Sequence, residues 1–249
     1  MLIHGSWHGA WCWDQVAALL RERGHTVVIP ELPGHGGDTT PAAGLTLRAY
    51  TDSIGAVLAA RGEPVVLVGH SFGGAVASQT AELHPEAVRS LVSVCGFLLR
   101  DGQSVWRHGF ASPRGAGANA SVLSPGNLLV SERDGLVDVD RSVIEYGFYP
   151  DCSPGTRRRA LDRWRPEPLG PLRTPLALTD DRFGRIPRAY VRCLEDRVVP
   201  LASQERMCRI TVCDRVVDMQ SGHLPLLSAP AELAGHLCRL ADDDWSTRG

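Results

Sequence analysis

The chain has 249 residues, 43% of them hydrophobic, which suits one α/β domain, or one domain with an insertion, around a core that needs no staples. A formal net charge of −2 offers no field to nucleic acid or a membrane surface, so the expected partner is a small, neutral molecule. All 26 basic residues are arginine, which excludes Schiff-base chemistry, a P-loop lysine and a lysine-assisted lyase.

Residues 1–3 read as a very short strand that breaks into the loop His4-Gly5-Ser6-Trp7-His8-Gly9. Residues 13–23 have helical spacing, with Val16, Leu19 and Leu20 on one face and Gly24 as the C-cap. Residues 26–30 read as a buried strand, and the loop 31–38 then lies at a strand's carboxyl end, where open α/β sheets bind ligands. Thr46 caps a helix running to about residue 61, with Leu47, Tyr50, Ile54, Val57 and Leu58 as its apolar stripe. The unbroken apolar run 65–68, rich in β-branched residues, is how a strand buried on both faces reads, and residues 75–83 follow as a helix. Residues 88–95 form the next strand.

This alternation predicts a mostly parallel, doubly wound α/β sheet of about six strands. From 96 to 187 the rhythm fails: a flexible loop at 112–119, helix-like stretches at 137–146 and 154–164, and a proline-rich run at 166–175. That segment reads as a helical cap inserted after the strand ending near Cys95, leaving 1–95 and 188–249 as the core. Strands at 189–194 and 215–219 and a helix at 230–240 resume the sheet, and a polar tail from 242 is expected to fray. Seven scattered cysteines, odd in number, imply reduced thiols and a cytoplasmic protein. No signal peptide and no apolar run of membrane-span length is expected.

Residues 69–73 read Gly-His-Ser-Phe-Gly between a strand and a helix, the context that separates a nucleophile elbow from a chance turn. The glycines remove side chains that would clash where strand and helix pass closely around Ser71. A hydroxyl alone is a poor nucleophile; it needs an imidazole held by a carboxylate, and donors for the oxyanion. Ser71, Asp196 and His223 meet the chain order nucleophile, acid, histidine, each on a loop after its own strand. Asp180 and Asp181 are the rival acids, and His35, His70, His84, His108 and His236 the rival bases. The amides of Ser6 and Phe72 are the expected oxyanion donors. Gly5, Trp7, Trp106, Phe110, Tyr146, Phe148 and Trp164 are the candidate pocket residues. No metal-ligand spacing appears, so neither metal nor cofactor is expected.

The segments His4-Gly5-Ser6-Trp7-His8-Gly9-Ala10-Trp11, Gly69-His70-Ser71-Phe72-Gly73-Gly74, Leu194-Glu195-Asp196 and Ser221-Gly222-His223 resemble the plant methylesterase and hydroxynitrile lyase group of α/β-hydrolases, most of all its bacterial homologues. The resemblance spans nearly the whole chain and implies the α/β-hydrolase fold, Ser71, Asp196 and His223 as a triad, esterase activity and a homodimer. The lyases of that group carry threonine at the position of Gly5 and lysine at that of Leu224, so the lyase residues are absent. Only Leu2 and Ile3 after Met1 precede His4, fewer than in the first strand of that group, so either that strand is truncated or the start lies upstream. The expected function is serine-dependent hydrolysis of a small, fairly apolar carboxylic ester through an acyl-enzyme. Two alternatives stand beside it: an enzyme that eliminates or cyclises a biosynthetic intermediate with His223 as base, and a catalytically dead receptor on the same scaffold.

Overall fold

The computed structural model describes residues 1–110, 121–243 and 245. β1 (Leu2–Ile3) opens the main sheet, and α1 (Asp14–Glu22) follows a 3-10 turn at Ala10–Trp13. Val16, Ala17 and Leu20 are the buried face of α1, and Gly24, at a φ of 87°, turns the chain out of it. α2 (Leu47–Arg61) starts where the Thr46 hydroxyl accepts the Ala49 amide at 3.3 Å. β2 (Val65–His70), α3 (Phe72–Leu83) and β3 (Val88–Val94) continue the alternation.

β4 (Leu128–Ser131) and β5 (Leu136–Val139) then form an antiparallel hairpin, followed by α4 (Arg141–Phe148) and α5 (Pro154–Asp162). β6 (Glu167–Pro168) pairs with β5 and leads into α6 (Leu169–Arg173). β7 (Arg188–Cys193), α7 (Leu201–Ile210), β8 (Arg215–Met219), α8 (Pro225–Ser228) and α9 (Pro230–Asp242) close the chain.

The main sheet has the order β1-β2-β3-β7-β8, parallel throughout, with Val68, Val92, Ala189 and Arg215 in one row. Leu91, Val92 and Val94 are at most 1% exposed, and burying each such side chain stabilises the fold by about 1.5–3 kcal/mol. From β1 the chain runs outward along 26–30 and returns across β1 to β2. Right-handed crossovers therefore put α1 on one face and α2 and α3 on the other. α1 packs on α9, and α2 on α3.

Three expectations need correction. The stretch 26–30 is extended but half-exposed, and its tie to the sheet is one bond, Leu2 N to Val28 O at 2.9 Å. Among the described residues the sheet thus has five strands rather than about six, because the two-residue β1 offers too little edge for a second ladder. Residues 137–146 are not one helix: Val137 and Val139 alternate inward in β5, and Asp140 caps α4 by accepting the Ser142 amide. The inserted segment is consequently not purely helical, since β4, β5 and β6 form a small antiparallel sheet within it. The loop expected at 112–119 lies outside the described residues, as does most of the tail.

Candidate active site

Ser71 stands between β2 and α3 with φ 53° and ψ −123°. A non-glycine residue held there costs on the order of 1–3 kcal/mol and persists only where its surroundings fix it. The Ser71 amide donates to Val94 O at 3.2 Å, and its carbonyl accepts from Phe97 N at 2.9 Å. Glycine is required on both sides: a Cβ at Gly69 would lie 2.3 Å from the Gly73 carbonyl oxygen, and one at Gly73 would lie 2.6 Å from that of His4. Among the described residues the other non-glycine positions with positive φ are Trp7 (61°) and Cys95 (36°). All three lie just beyond the carboxyl ends of β1, β2 and β3, so backbone strain collects at one rim of the sheet.

At that rim Ser71 Oγ is 2.9 Å from His223 Nε2, and His223 Nδ1 is 2.8 Å from Asp196 Oδ2. The other Asp196 oxygen accepts the amides of Val198 and Val199 at 2.7 and 2.9 Å, so the carboxyl group is held in place with Oδ2 as the acceptor for the Nδ1 proton. Nε2 is then the free acceptor for the serine proton. All three side chains are buried. The backbone carrying His223 is clamped as well: its carbonyl accepts from His70 Nε2 at 2.7 Å and from the Cys95 thiol at 3.4 Å, while Gly222 N donates to Asp151 Oδ2 at 2.8 Å. Burial, with His223 beside it, holds His70 well below the usual imidazole range, so this ring is neutral and acts as a donor.

Phe72 is the first residue of α3, so its amide has no acceptor within the helix and lies at the positive end of the helix dipole. The loop carrying Ser6 runs against the nucleophile: a Cβ on Gly5 would come 2.8 Å from Ser71 Cβ. Both peptides flanking Ser6 are pinned. His4 Nδ1 donates to the Gly5 carbonyl at 2.9 Å, His8 Nδ1 to the Ser6 carbonyl at 2.8 Å, and the Trp7 amide to Glu167 Oε2 at 2.9 Å. Because the peptide is trans, turning the Gly5 carbonyl to His4 aims the Ser6 N–H the opposite way. Burial lowers His8 to about 3, so it is neutral and its Nε2 accepts the Tyr149 hydroxyl at 2.8 Å.

The aromatic candidates divide. Trp7 is buried and meets Trp164 in a parallel stack at 5.6 Å, Phe148 edge-on at 5.6 Å and Phe110 at 5.8 Å. Phe148 also meets the His223 ring nearly at right angles, centroids 5.7 Å apart, so this cluster forms an apolar wall beside the imidazole. Trp106 is one layer further out, stacked on Phe110 and with the Arg173 guanidinium 4.8 Å from its ring centroid. Tyr146 does not belong: it is 60% exposed under Arg197, because two residues along a helix from Phe148 is the opposite face.

The rivals are engaged elsewhere. His35 Nε2 donates to Glu167 Oε2 at 2.8 Å; burial works against its charge, but Glu167 outweighs this and raises it. His84 packs against Gly55 of α2, His236 pairs with Glu232 of α9, His108 meets Arg206, and Asp180 and Asp181 are exposed. Among the described residues His70, Cys95 and His223 form the cluster with metal-ligand composition, their ligand atoms within 4.8 Å. Its nitrogens are turned to Ser71, Asp196 and the His223 carbonyl, or, for His70 Nδ1, left without a partner, and burial raises the Cys95 thiol, so the set does not fit a cation. Sequence reasoning missed the clamps His4, His8, Tyr149, Asp151 and Glu167. His4 and His8 at least flank Ser6 in the chain, whereas Asp151 and Glu167 grip backbone amides 71 and 160 residues away, which no residue-type pattern marks.

Residues 1–236 match the sequence profile of the alpha/beta hydrolase family. The chain belongs to that family. Methylesterase 1 of Arabidopsis thaliana is 29% identical over 254 residues, covering 97% of this α/β-hydrolase and 95% of the relative. A pyrethroid hydrolase of Sphingobium wenxiniae is 31% identical over 254 residues, covering 97% and 87%. The crystal structure of a pyrethroid hydrolase from Sphingobium faniae superposes with a TM-score of 0.85 at 27% identity, covering 99% and 98% of the two chains. The chain spans only 63% of the length of a chloroplastic methylesterase homologue from Arabidopsis thaliana. Among the described residues no helix is long and apolar enough to cross a membrane.

Proposed function

We propose that this α/β-hydrolase is a serine-dependent carboxylic ester hydrolase acting on a small, fairly apolar ester, with residues 96–187 as the cap over its site. The observation that carries this is the relay of 2.9 and 2.8 Å from Ser71 through His223 to Asp196 at the strained rim of the sheet. His223 takes the proton as Ser71 Oγ attacks the acyl carbon, and Asp196 stabilises the imidazolium. The oxyanion rests on the Ser6 and Phe72 amides, each such donor contributing about 2.7–4 kcal/mol to the transition state. His223 then protonates the leaving alcohol and activates water to release the acyl group. The wall of Trp7, Phe110, Phe148 and Trp164 favours an apolar substrate, and relatives named methylesterase and pyrethroid hydrolase support an ester.

With p-nitrophenyl esters of short acids, Ser71→Ala is expected to lower kcat about 10⁴-fold or more. A folded variant that keeps its rate on these esters rules the reading out.

A further inference from the structure

Glu167 is fully buried, yet its carboxylate has an unpaired oxygen: Oε2 takes both His35 Nε2 and the Trp7 amide, while Oε1 has no partner. A buried ion pair is a poor way to gain stability, since apolar residues of similar volume do as well or better. What this carboxylate does distinctively is hold the N–H of Trp7, a non-glycine residue at φ 61° in the loop that carries Ser6. The rest of Trp7 is gripped by residues of the same stretch of chain, 96–187. Its carbonyl accepts from Arg165 N at 3.2 Å, its indole N–H donates to the Val137 carbonyl at 3.1 Å, and its ring stacks on Trp164.

We infer that Glu167, anchored by His35, is a positioning residue for the oxyanion loop: by holding the Trp7 amide it keeps the turn at Trp7 strained and the Ser6 amide aimed at the developing oxyanion. The inference rests on the ester-hydrolase reading above. Since Glu167 belongs to the insertion and Ser6 to the core, seating the one completes the anion site of the other. His35 Nδ1 donates to Pro33 O at 3.2 Å while Nε2 faces the carboxylate, so both ring nitrogens are donors and the ring can carry the balancing charge. Without the carboxylate the Trp7 N–H is orphaned, and the peptide is free to relax toward ordinary φ, turning the adjoining Ser6 peptide with it.

The test compares wild type, Glu167→Leu and Glu167→Gln, with active sites counted by stoichiometric fluorophosphonate labelling so that kcat is expressed per competent serine. Glu167→Leu is expected to lose about 10- to 100-fold in kcat per labelled site, with KM changed by less than about twofold. Glu167→Gln, whose amide oxygen still accepts the Trp7 N–H, is expected to stay within about threefold of wild type. Should leucine prevent folding, Glu167→Asp, which withdraws the acceptor by one methylene, is expected to show the same kcat-specific loss. A merely structural role lowers the number of labelled sites and leaves kcat per site unchanged; that result, or a Gln variant as poor as the Leu one, overturns the inference. Failure of wild-type Ser71 to react with the fluorophosphonate sinks the hydrolase reading itself, which keeps the two failures apart.

Discussion

Asp196 is held through both oxygens: one meets His223 Nδ1 and the other two backbone amides. Replacing it by asparagine keeps the shape but offers an N–H to Nδ1, which drives the imidazole proton to Nε2, the side that must receive the serine proton. Asp196→Asn is therefore expected to lower kcat about 10⁴-fold with little change in Tm. A variant that retains even a tenth of the rate contradicts this role, as steady-state kinetics beside a thermal melt will show. Ser71, Asp196 and His223 were legible in the sequence because each follows its own strand in the order this chemistry uses. Glu167 and Asp151 were not, since their partners are main-chain amides and carry no side-chain signature. Tyr146 was misplaced because aromaticity alone does not say which way a helix faces; the two-residue offset from Phe148 did.

Among the elements, the α2 boundary shows local chemistry acting as expected. The Thr46 hydroxyl satisfies one orphan amide of the first turn, so Thr46→Ala is expected to cost about 1 kcal/mol, read as a lower urea midpoint at unchanged m. No change in midpoint contradicts the cap. The elbow is less forgiving: Gly69→Val drives a branched side chain into the Gly73 backbone and is expected to abolish soluble folded protein or, if it folds, ester turnover. A folded, fully active Gly69→Val contradicts the close strand–helix passage. Where element assignment failed, two periods met within ten residues. Leu136–Val139 alternates with period two after the tight turn at Gly135 (φ 66°), and Asp140 then starts a helix, so one window mixes both patterns. The stretch 26–30 failed differently: its β-branched composition is right for a strand, but pairing requires a neighbour long enough to pair with.

For the whole molecule, neutral histidines in the interior contribute to how it meets acid. Unfolded imidazoles titrate near 6.5, whereas burial puts His8 at about 3 and His70 well below the ordinary range. Below about 6.5 the unfolded chain therefore binds protons that the folded chain refuses, so stability falls with pH by about 1.4 kcal/mol per unit for each such ring. His35 runs the other way: its raised pKa gives a contribution complete below the unfolded value and lost as pH rises through the folded one. Calorimetry should thus show Tm dropping steadily from pH 6.5 to 4.5, and less steeply in His8→Gln; a flat profile contradicts neutral burial of His8. All these features surround one serine. The most direct test is intact-mass spectrometry during turnover of a slow ester: wild type should gain the mass of the acyl group, mapped to the peptide containing Ser71, and Ser71→Ala should gain none. Turnover with no adduct on Ser71 under trapping conditions, or the same adduct in the alanine variant, would contradict acyl transfer to that hydroxyl.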